Sequence, residues 1–287
     1  MKKRIPAVAL LFSIIAPGLG QIYNGQCKKG ILFYAVGLAI LLSYSVAGLY
    51  FYGYIFYLII SVGWLIFVLV DAAVTAGRLK QLELHNYHKW YIYLTIALIF
   101  HFVTFGVKGS FVGIKAYSFP SGSMRETLQK GDWLQVNKFA YGVRNPFTNK
   151  VWLTAGKPRR NDLAVFIFPQ DPGKDYIKRV IGLPGDRVQI IDKKVFINDQ
   201  LLKTPQAIFE DAAIIPGSKV ARDNFGPAMV PRNSYFVLGD NRDQSYDSRF
   251  WGFVPFDLVR GQVLYVYFSW DRENSRVRWE RIGRSLN

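Results

Sequence analysis

Phe119-Pro120-Ser121-Gly122-Ser123-Met124 sets two serines around a glycine, in a segment whose proline and glycine bar a regular helix. A hydroxyl on a glycine-flexed turn is the kind of position an acyl-transfer nucleophile occupies, although Ser-Gly-Ser is also a common loop tripeptide. Tyr176-Ile177-Lys178-Arg179-Val180-Ile181-Gly182-Leu183-Pro184-Gly185-Asp186 places a lysine in an apolar run of β character. Such a lysine ordinarily snorkels its amine to water or pairs with a carboxylate. Gly239-Asp240-Asn241-Arg242-Asp243-Gln244-Ser245-Tyr246-Asp247-Ser248-Arg249 packs three acids and two arginines into eleven residues between two hydrophobic runs. That loop is either a solvated hairpin tip or a paired, rigid network. Metal chemistry finds little support. His85 and His88 have helical spacing without a thiolate or a carboxylate pair, and His101, alone in an apolar run, is expected to be hydrogen-bonded inside a bundle. The single Cys27 excludes an intrachain disulfide framework and a multi-thiolate site. No metal and no organic cofactor is expected.

The elements that must position these residues fall into two halves. The chain has 287 residues, is 51% hydrophobic and 16% aromatic, and carries 36 Lys and Arg against 20 Asp and Glu, a formal charge of +16. This apolar content rules out disorder, and its clustering rules out a single ordinary soluble globule. Residues 1–107 hold 8 basic and 2 acidic residues (+6), and residues 108–287 hold 28 and 18 (+10). Between Lys29 and Asp71 run 41 residues without a charge. As helix that is about 60 Å, two crossings of a ~30 Å hydrocarbon core. The spans are expected over about 31–49 and 53–71, with a tyrosine-rich turn from Gly48 to Gly53 and Asp71 as an interfacial anchor. A third apolar run, Trp90 to Val107, is 18 residues long and completes a transmembrane region over 1–107.

The first apolar segment, Ile5 to Cys27, is interrupted by Pro17-Gly18-Leu19-Gly20-Gln21 and Tyr23-Asn24-Gly25. Its basic start has the outline of a secretory signal peptide, but Pro17 to Gly25 offers no small-residue cleavage site and further apolar runs follow. Basic residues flank it on both sides (Lys2, Lys3, Arg4; Lys28, Lys29), and more follow at Arg78, Lys80 and Lys89. The positive-inside tendency places all three clusters in the cytoplasm, so segment 5–27 dips in and returns as a re-entrant hairpin. Three spans then deliver the chain to the outer face at residue 107. The Pro17–Gly25 motif with Lys29-Gly30 resembles the Gly-rich hairpin of small TM2-type membrane domains.

From residue 130 the pattern becomes short alternating runs: Trp133 to Val136, Leu163 to Phe168, Arg187 to Ile191, Lys194 to Ile197, Ser234 to Leu238 and Val263 to Tyr267. Turn residues bound each run, which points to an antiparallel barrel or sandwich without βαβ units. Residues 199–231, with Pro205, Pro216 and Pro227, read as an insertion on that core. The Arg-bearing C-terminus is expected to end the sheet. The +10 of this half suits a lipid-facing or solvated surface; a domain tethered outside a membrane meets anionic lipid, and no nucleic-acid partner is expected.

Taken together these segments resemble the boxes of bacterial type I signal peptidases, membrane-bound serine proteases of the Ser-Lys type. The likeness covers about residues 115–285: Pro120 to Met124, Gly131-Asp132 through Val136-Asn137-Lys138-Phe139, Lys178 to Asp186, Gly239 to Pro255, and Arg281-Ile282-Gly283 near the end. One departure is Glu126-Thr127-Leu128, where the family commonly has Pro-Thr-Leu; another is the number of N-terminal spans.

The resemblance implies an N-terminal α-helical transmembrane region joined to a mainly-β catalytic domain over 108–287. It implies Ser123 as nucleophile and Lys178 as general base, with the Ser123 N–H and the Ser121 hydroxyl as oxyanion donors and Ser245 orienting the amine. Asp240 would pair with Arg179, and Asp247 with Arg249, bracing the site. A serine needs a neighbouring base, and a lysine serves only if burial lowers its pKa from near 10.4. The implied function is removal of signal peptides from exported preproteins by a multi-pass protein of the cytoplasmic membrane whose catalytic domain lies on the extracytoplasmic side. Implied partners are those preproteins, membrane lipid and the export translocon. Two rivals are a narrower protease with one dedicated pilin or conjugation substrate, and a membrane scaffold built on a decayed protease; the intact Ser123, Lys178 and Ser245 oppose the second. A self-cleaving repressor is excluded by the spans and by the lack of a DNA-binding domain.

Overall fold

The computed structural model describes residues 3–79, 89–110, 114–118, 121–145 and 151–286. His85, His88, Lys80 and the Phe119-Pro120 start of the serine motif lie outside the described residues. The chain divides into two compact units, Met1–Val112 and Gly113–Asn287.

The first unit is helical: α1 (Pro6–Ile15), α2 (Leu19–Tyr23), α3 (Cys27–Ala47), α4 (Phe51–Arg78) and α5 (Trp90–Ser110). α3 and α4 are long and apolar enough to cross a membrane. The interrupted segment 5–27 becomes α1 and α2, with the break set by Gly18 at φ +95°. A side chain there would also strike the carbonyl oxygen of Gly30 at 2.1 Å, so a glycine is required on both grounds. The polar residues of this motif bind α4. Gln21 Nε2 donates to the Val68 carbonyl (2.9 Å) and to Asp71 (3.1 Å), and Asn24 Nδ2 donates to the Ala72 carbonyl (2.8 Å). Asp71 is therefore more than the interfacial anchor expected. α4 continues past it to Arg78, and its carboxylate pairs with Lys29 at 2.6 Å. His101, expected inside the bundle, is exposed and edge-on to Phe100, because the apolar surface of α5 that packs is carried by Tyr93, Ile96, Ala97 and Phe100.

The second unit is mainly β. Its strands are β1 (Ile114–Ser118), β2 (Asp132–Asn137), β3 (Val143–Arg144), β4 (Val151–Leu153), β5 (Leu163–Phe168), β6 (Asp171–Gly182), β7 (Arg187–Ile191), β8 (Lys194–Ile197), β9 (Gln200–Leu201), β10 (Phe225–Met229), β11 (Ser234–Leu238), β12 (Val254–Pro255), β13 (Val259–Asp271) and β14 (Arg276–Val277), with one short helix, α6 (Ser248–Trp251). The main sheet has the order β1-β2-β13-β5-β6-β11-β12, with β14 on β13, and its pairings are antiparallel. Apolar residues of β2, β5 and β13 (Leu134, Val136, Leu163, Val165, Val263 and Val266) build a core that Met124 and Leu128 of the serine turn complete. β7 and β8 do not extend the main sheet. They pair with β9 and β10 in a second sheet of order β10-β7-β8-β9, so the excursion from the core starts at Arg187 rather than at 199. Its apolar side packs on Ile181, Phe236 and Leu238, which explains why their alternation resembles that of core strands.

The C-terminal segment is bolted to the start of β2. Arg281 Nη2 and Nε donate to the fully buried Asp132 at 2.6 and 3.0 Å, and Ser269 Oγ donates to the same carboxylate at 2.7 Å. Replacing Asp132 by alanine leaves a buried guanidinium unpaired. The expected loss is about 3–5 kcal/mol, read as a fall of roughly 2–4 °C per kcal/mol in the unfolding temperature of the detergent-solubilised chain.

Candidate active site

Antiparallel pairing brings the three chemical segments together. β6 carries Lys178, opposite Ala164 of β5, and its other neighbour is β11, whose Leu238 pairs with Arg179. The chain leaving β11 is the 239–249 loop, so that loop emerges beside Lys178. The serine turn lies between β1 and β2. It is drawn onto the loop by the Asn241 N–H, which donates to the Ser123 carbonyl at 3.1 Å. Gly239 is needed at this crossing: a Cβ there would sit 2.2 Å from Ser245 Oγ and 2.5 Å from the Ser123 carbonyl oxygen.

Lys178 Nζ lies 2.5 Å from Ser123 Oγ, and both residues are buried, at 4% and 5% exposure. Removal from water pushes the Lys178 amine down to about 8. Asp247 opposes that shift, while the Arg249 guanidinium adds to it and Asp240 opposes it further. Neither carboxylate pairs with the amine. Asp240 Oδ1 accepts from Arg179 Nε at 2.8 Å and its Oδ2 from Arg179 Nη2 at 2.6 Å and from Thr127 Oγ1 at 2.6 Å. Asp247 accepts from Arg249 Nε and Nη2, both at 2.8 Å, and from the Gly239 N–H at 3.1 Å. These are bidentate pairs of the strong kind, each saturated by its own arginine. Arg249 also binds the loop carbonyls of Arg242 (2.7 Å) and Arg222 (2.6 Å).

The serine turn is held from several sides. The Ser123 N–H donates to Ser121 Oγ at 3.2 Å, and the Ser121 hydroxyl is also 3.2 Å from Ser123 Oγ. The Thr127 carbonyl accepts from Arg281 at 3.0 Å and the Glu126 carbonyl from Arg284 at 3.1 Å. Glu126 itself takes φ +71°. A proline at this position could not take the backbone conformation that Glu126 adopts here, because its ring fixes φ near −65°.

The fold brings Ser121, Ser123, Lys178, Arg179, Asp240, Asp247 and Arg249 together. Ser245 is buried beside Gly239, but its hydroxyl makes no hydrogen bond among the described residues, to Lys178 or to any other group. Asp243 pairs outside the loop, with Lys193 at 3.0 Å. Arg242 is buried with no carboxylate in ion-pair range among the described residues; burial and the nearby Arg249 lower it to about 10. Thr127, Asn241 and Glu210 were missed. Thr127 stood in a quoted motif, but its spacing carries no sign of a carboxylate 113 residues away. No group of three or more His, Cys, Asp or Glu among the described residues could hold a metal.

A family model described as signal peptidase, peptidase S26, matches residues 89–270. Signal peptidase I of Pseudomonas fluorescens is 35% identical over 187 residues, which cover 55% of this chain and 66% of that protein. Signal peptidase I of Pseudomonas aeruginosa is 34% identical over 202 residues, 59% of this chain and 71% of that protein. Signal peptidase I of Buchnera aphidicola (subspecies Acyrthosiphon pisum) is 30% identical over 260 residues, 68% and 82%. Among solved structures, a signal peptidase I from Enterococcus faecalis is 33% identical, with 37% of this chain and 97% of that chain covered and a TM-score of 0.31. With its serine and buried lysine in contact and its family model matched across most of the β unit, this chain belongs to the signal peptidase family, peptidase S26, a family of serine hydrolases.

Proposed function

We propose that the chain is a membrane-anchored endopeptidase that removes signal peptides from exported preproteins, with Ser123 as nucleophile and Lys178 as general base. The observation that carries this reading is the 2.5 Å approach of a buried, carboxylate-free amine to a buried serine hydroxyl. In its uncharged form Lys178 takes the proton of Ser123 Oγ as the oxygen attacks the scissile carbonyl. The carbonyl oxygen becomes an oxyanion and accepts from the Ser123 N–H and the Ser121 O–H, once the Ser121 hydroxyl turns away from the N–H it now caps. The Lys178 ammonium then protonates the departing amine, leaving an acyl ester on Ser123. Water attacks that ester as Lys178 takes its proton; the acyl–oxygen bond then breaks, Lys178 returns the proton to Ser123 Oγ, and the new carboxyl terminus leaves. Ser245, buried with a hydroxyl that has no partner among the described residues, orients the amine only after its side chain turns toward Lys178. Arg179–Asp240 and Asp247–Arg249 act by holding the site and by keeping both carboxylates away from Lys178.

Substrate binds extended, adding a strand at the edge of the site, with small residues before the cut as the family resemblance implies. Lys3, Arg4, Lys28, Lys29, Arg78 and Lys89 support a cytoplasmic placement of both ends of the 5–27 hairpin and of the α4–α5 connection. α3, α4 and α5 then cross, and the β unit lies on the extracytoplasmic side of the cytoplasmic membrane. Lipid and the export machinery are its neighbours there.

Four measurements on the detergent-solubilised chain test this reading. Ser123→Ala, Lys178→Ala and Lys178→Arg each abolish cleavage of a preprotein, arginine failing because it is not deprotonated at any working pH; full activity in any of the three contradicts the assignment. Ser121→Ala remains active but slower by about 10²–10³. For wild type, kcat/KM rises with pH with its midpoint at about 8, and falls about tenfold per pH unit below it, because only the uncharged amine is a base. Finally, Lys178→Met is inactive yet at least as stable as wild type at pH 7. The amine's folded pKa is depressed, so at that pH the unfolded state binds its proton more readily and Lys178 itself weakens the fold.

A further inference from the structure

The excursion from the main sheet, part of which reads from the sequence as an insertion on the core, returns a strap against the active site. Ile208 forms an isolated parallel bridge with Asn241: its N–H donates to the Asp240 carbonyl at 2.8 Å, and its carbonyl accepts from the Arg242 N–H at 3.0 Å. Two residues on, Glu210 gathers three donors. Its Oε1 accepts from Arg125 Nη1 at 2.7 Å and from Asn241 Nδ2 at 3.2 Å, and its Oε2 accepts from Gln244 Nε2. Arg125 is two residues after Ser123. Asn241, fully buried, is the residue whose N–H holds the Ser123 carbonyl. One carboxylate therefore ties together the serine turn, the 239–249 loop and the strap.

A partly exposed ion pair such as Arg125–Glu210, with side chains 62% and 28% exposed, is by itself weak. Convergence of three donors gives it leverage. The turn it restrains includes a non-glycine residue, Glu126, in the left-handed region, a conformation that persists only where surrounding contacts over-determine it. Asn241 and Arg284 fix the backbone carbonyls on either side of that strained step, and Glu210 fixes the one side chain between Ser123 and Glu126 that reaches the strap.

We propose that Glu210 is a positioning residue for catalysis, holding Ser123 Oγ against Lys178 through Arg125, Asn241 and Gln244. The inference rests on the roles assigned above to Ser123 and Lys178. Glu210 bonds to neither Ser123 nor Lys178, so its removal displaces the nucleophile while leaving the amine's surroundings in place. Displacements of about 1 Å cost up to about 10²-fold in rate.

The test compares wild type with Glu210→Ala, Glu210→Gln and Arg125→Ala, using the full chain in detergent and a preprotein substrate. Glu210→Ala is expected to lower kcat by about 10- to 100-fold, with KM, unfolding temperature and the midpoint of the pH profile unchanged. Glu210→Gln keeps an acceptor for Asn241 and recovers most of kcat, and Arg125→Ala falls between the two. Wild-type kcat in Glu210→Ala overturns the proposal, as does a loss that tracks a fall in unfolding temperature, or a change confined to KM. Hydrogen exchange of the segment 121–128 reads the same restraint without substrate. Faster exchange in Glu210→Ala, with β5 unchanged, supports the proposal even if wild type proves inert toward preproteins, a result that would sink the proposed function alone. Unchanged exchange overturns the proposal whatever the assay gives.

Discussion

An ammonium group in water is a poor base at neutral pH, and a lysine removed from water beside a carboxylate is no better, because the ion pair stabilises its charge. The site described here meets both difficulties at Lys178. Lys178 is 4% exposed, and Asp240 and Asp247 are each committed to a guanidinium of their own. The rest of the β unit can be understood as what this arrangement requires. β6 must be buried so that Lys178 is dry, and β11 must lie beside it so that its outgoing loop brings Asp240, Asp247 and Arg249 close without pairing them to the amine.

The bracing has an energetic logic. A buried ion pair is weak evidence for stability, because desolvation offsets much of the attraction. Arg179–Asp240 and Arg249–Asp247 are better understood as devices of register and charge. Each arginine is fixed at a set distance from the dyad and each carboxylate is fully occupied. Thr127 adds its hydroxyl to Asp240, so the carboxylate that saturates Arg179 also holds the far end of the serine turn. Arg281 reaches the same turn through the Thr127 carbonyl while pairing with Asp132. Electrostatics and positioning thus share residues, and a change made for one disturbs the other.

Much of this was legible in the sequence, for identifiable reasons. Uncharged runs of membrane length forecast α3 and α4, and period-two alternation forecast a β unit of antiparallel strands. The Ser121–Met124, Lys178–Asp186 and 239–249 segments carried their chemistry in contiguous residues. The same periodicity was silent on which sheet a strand joins, so β7 and β8 were counted with the core although they pair with β9 and β10. Long-range partners of single polar residues were also hidden. Nothing local marks Thr127 for Asp240, Asn241 for the Ser123 carbonyl, Glu210 for Arg125, or Gln21 for Asp71, since each bond depends on chain crossings that only the folded topology creates. Asp71 shows the limit well: its position at the edge of an apolar run suggested an anchor, whereas its partner Lys29 lies 42 residues away.

The central claim concerns one proton. Selective isotope labelling of lysine side chains, with Lys178 assigned by comparison with Lys178→Met, allows the ε-amine to be titrated directly by NMR in the detergent-solubilised chain. A transition near 8, more than two units below the ordinary lysine value of 10.5, is the expected result. An amine that stays fully ionised above pH 10 would contradict the general-base role and the arrangement built around it.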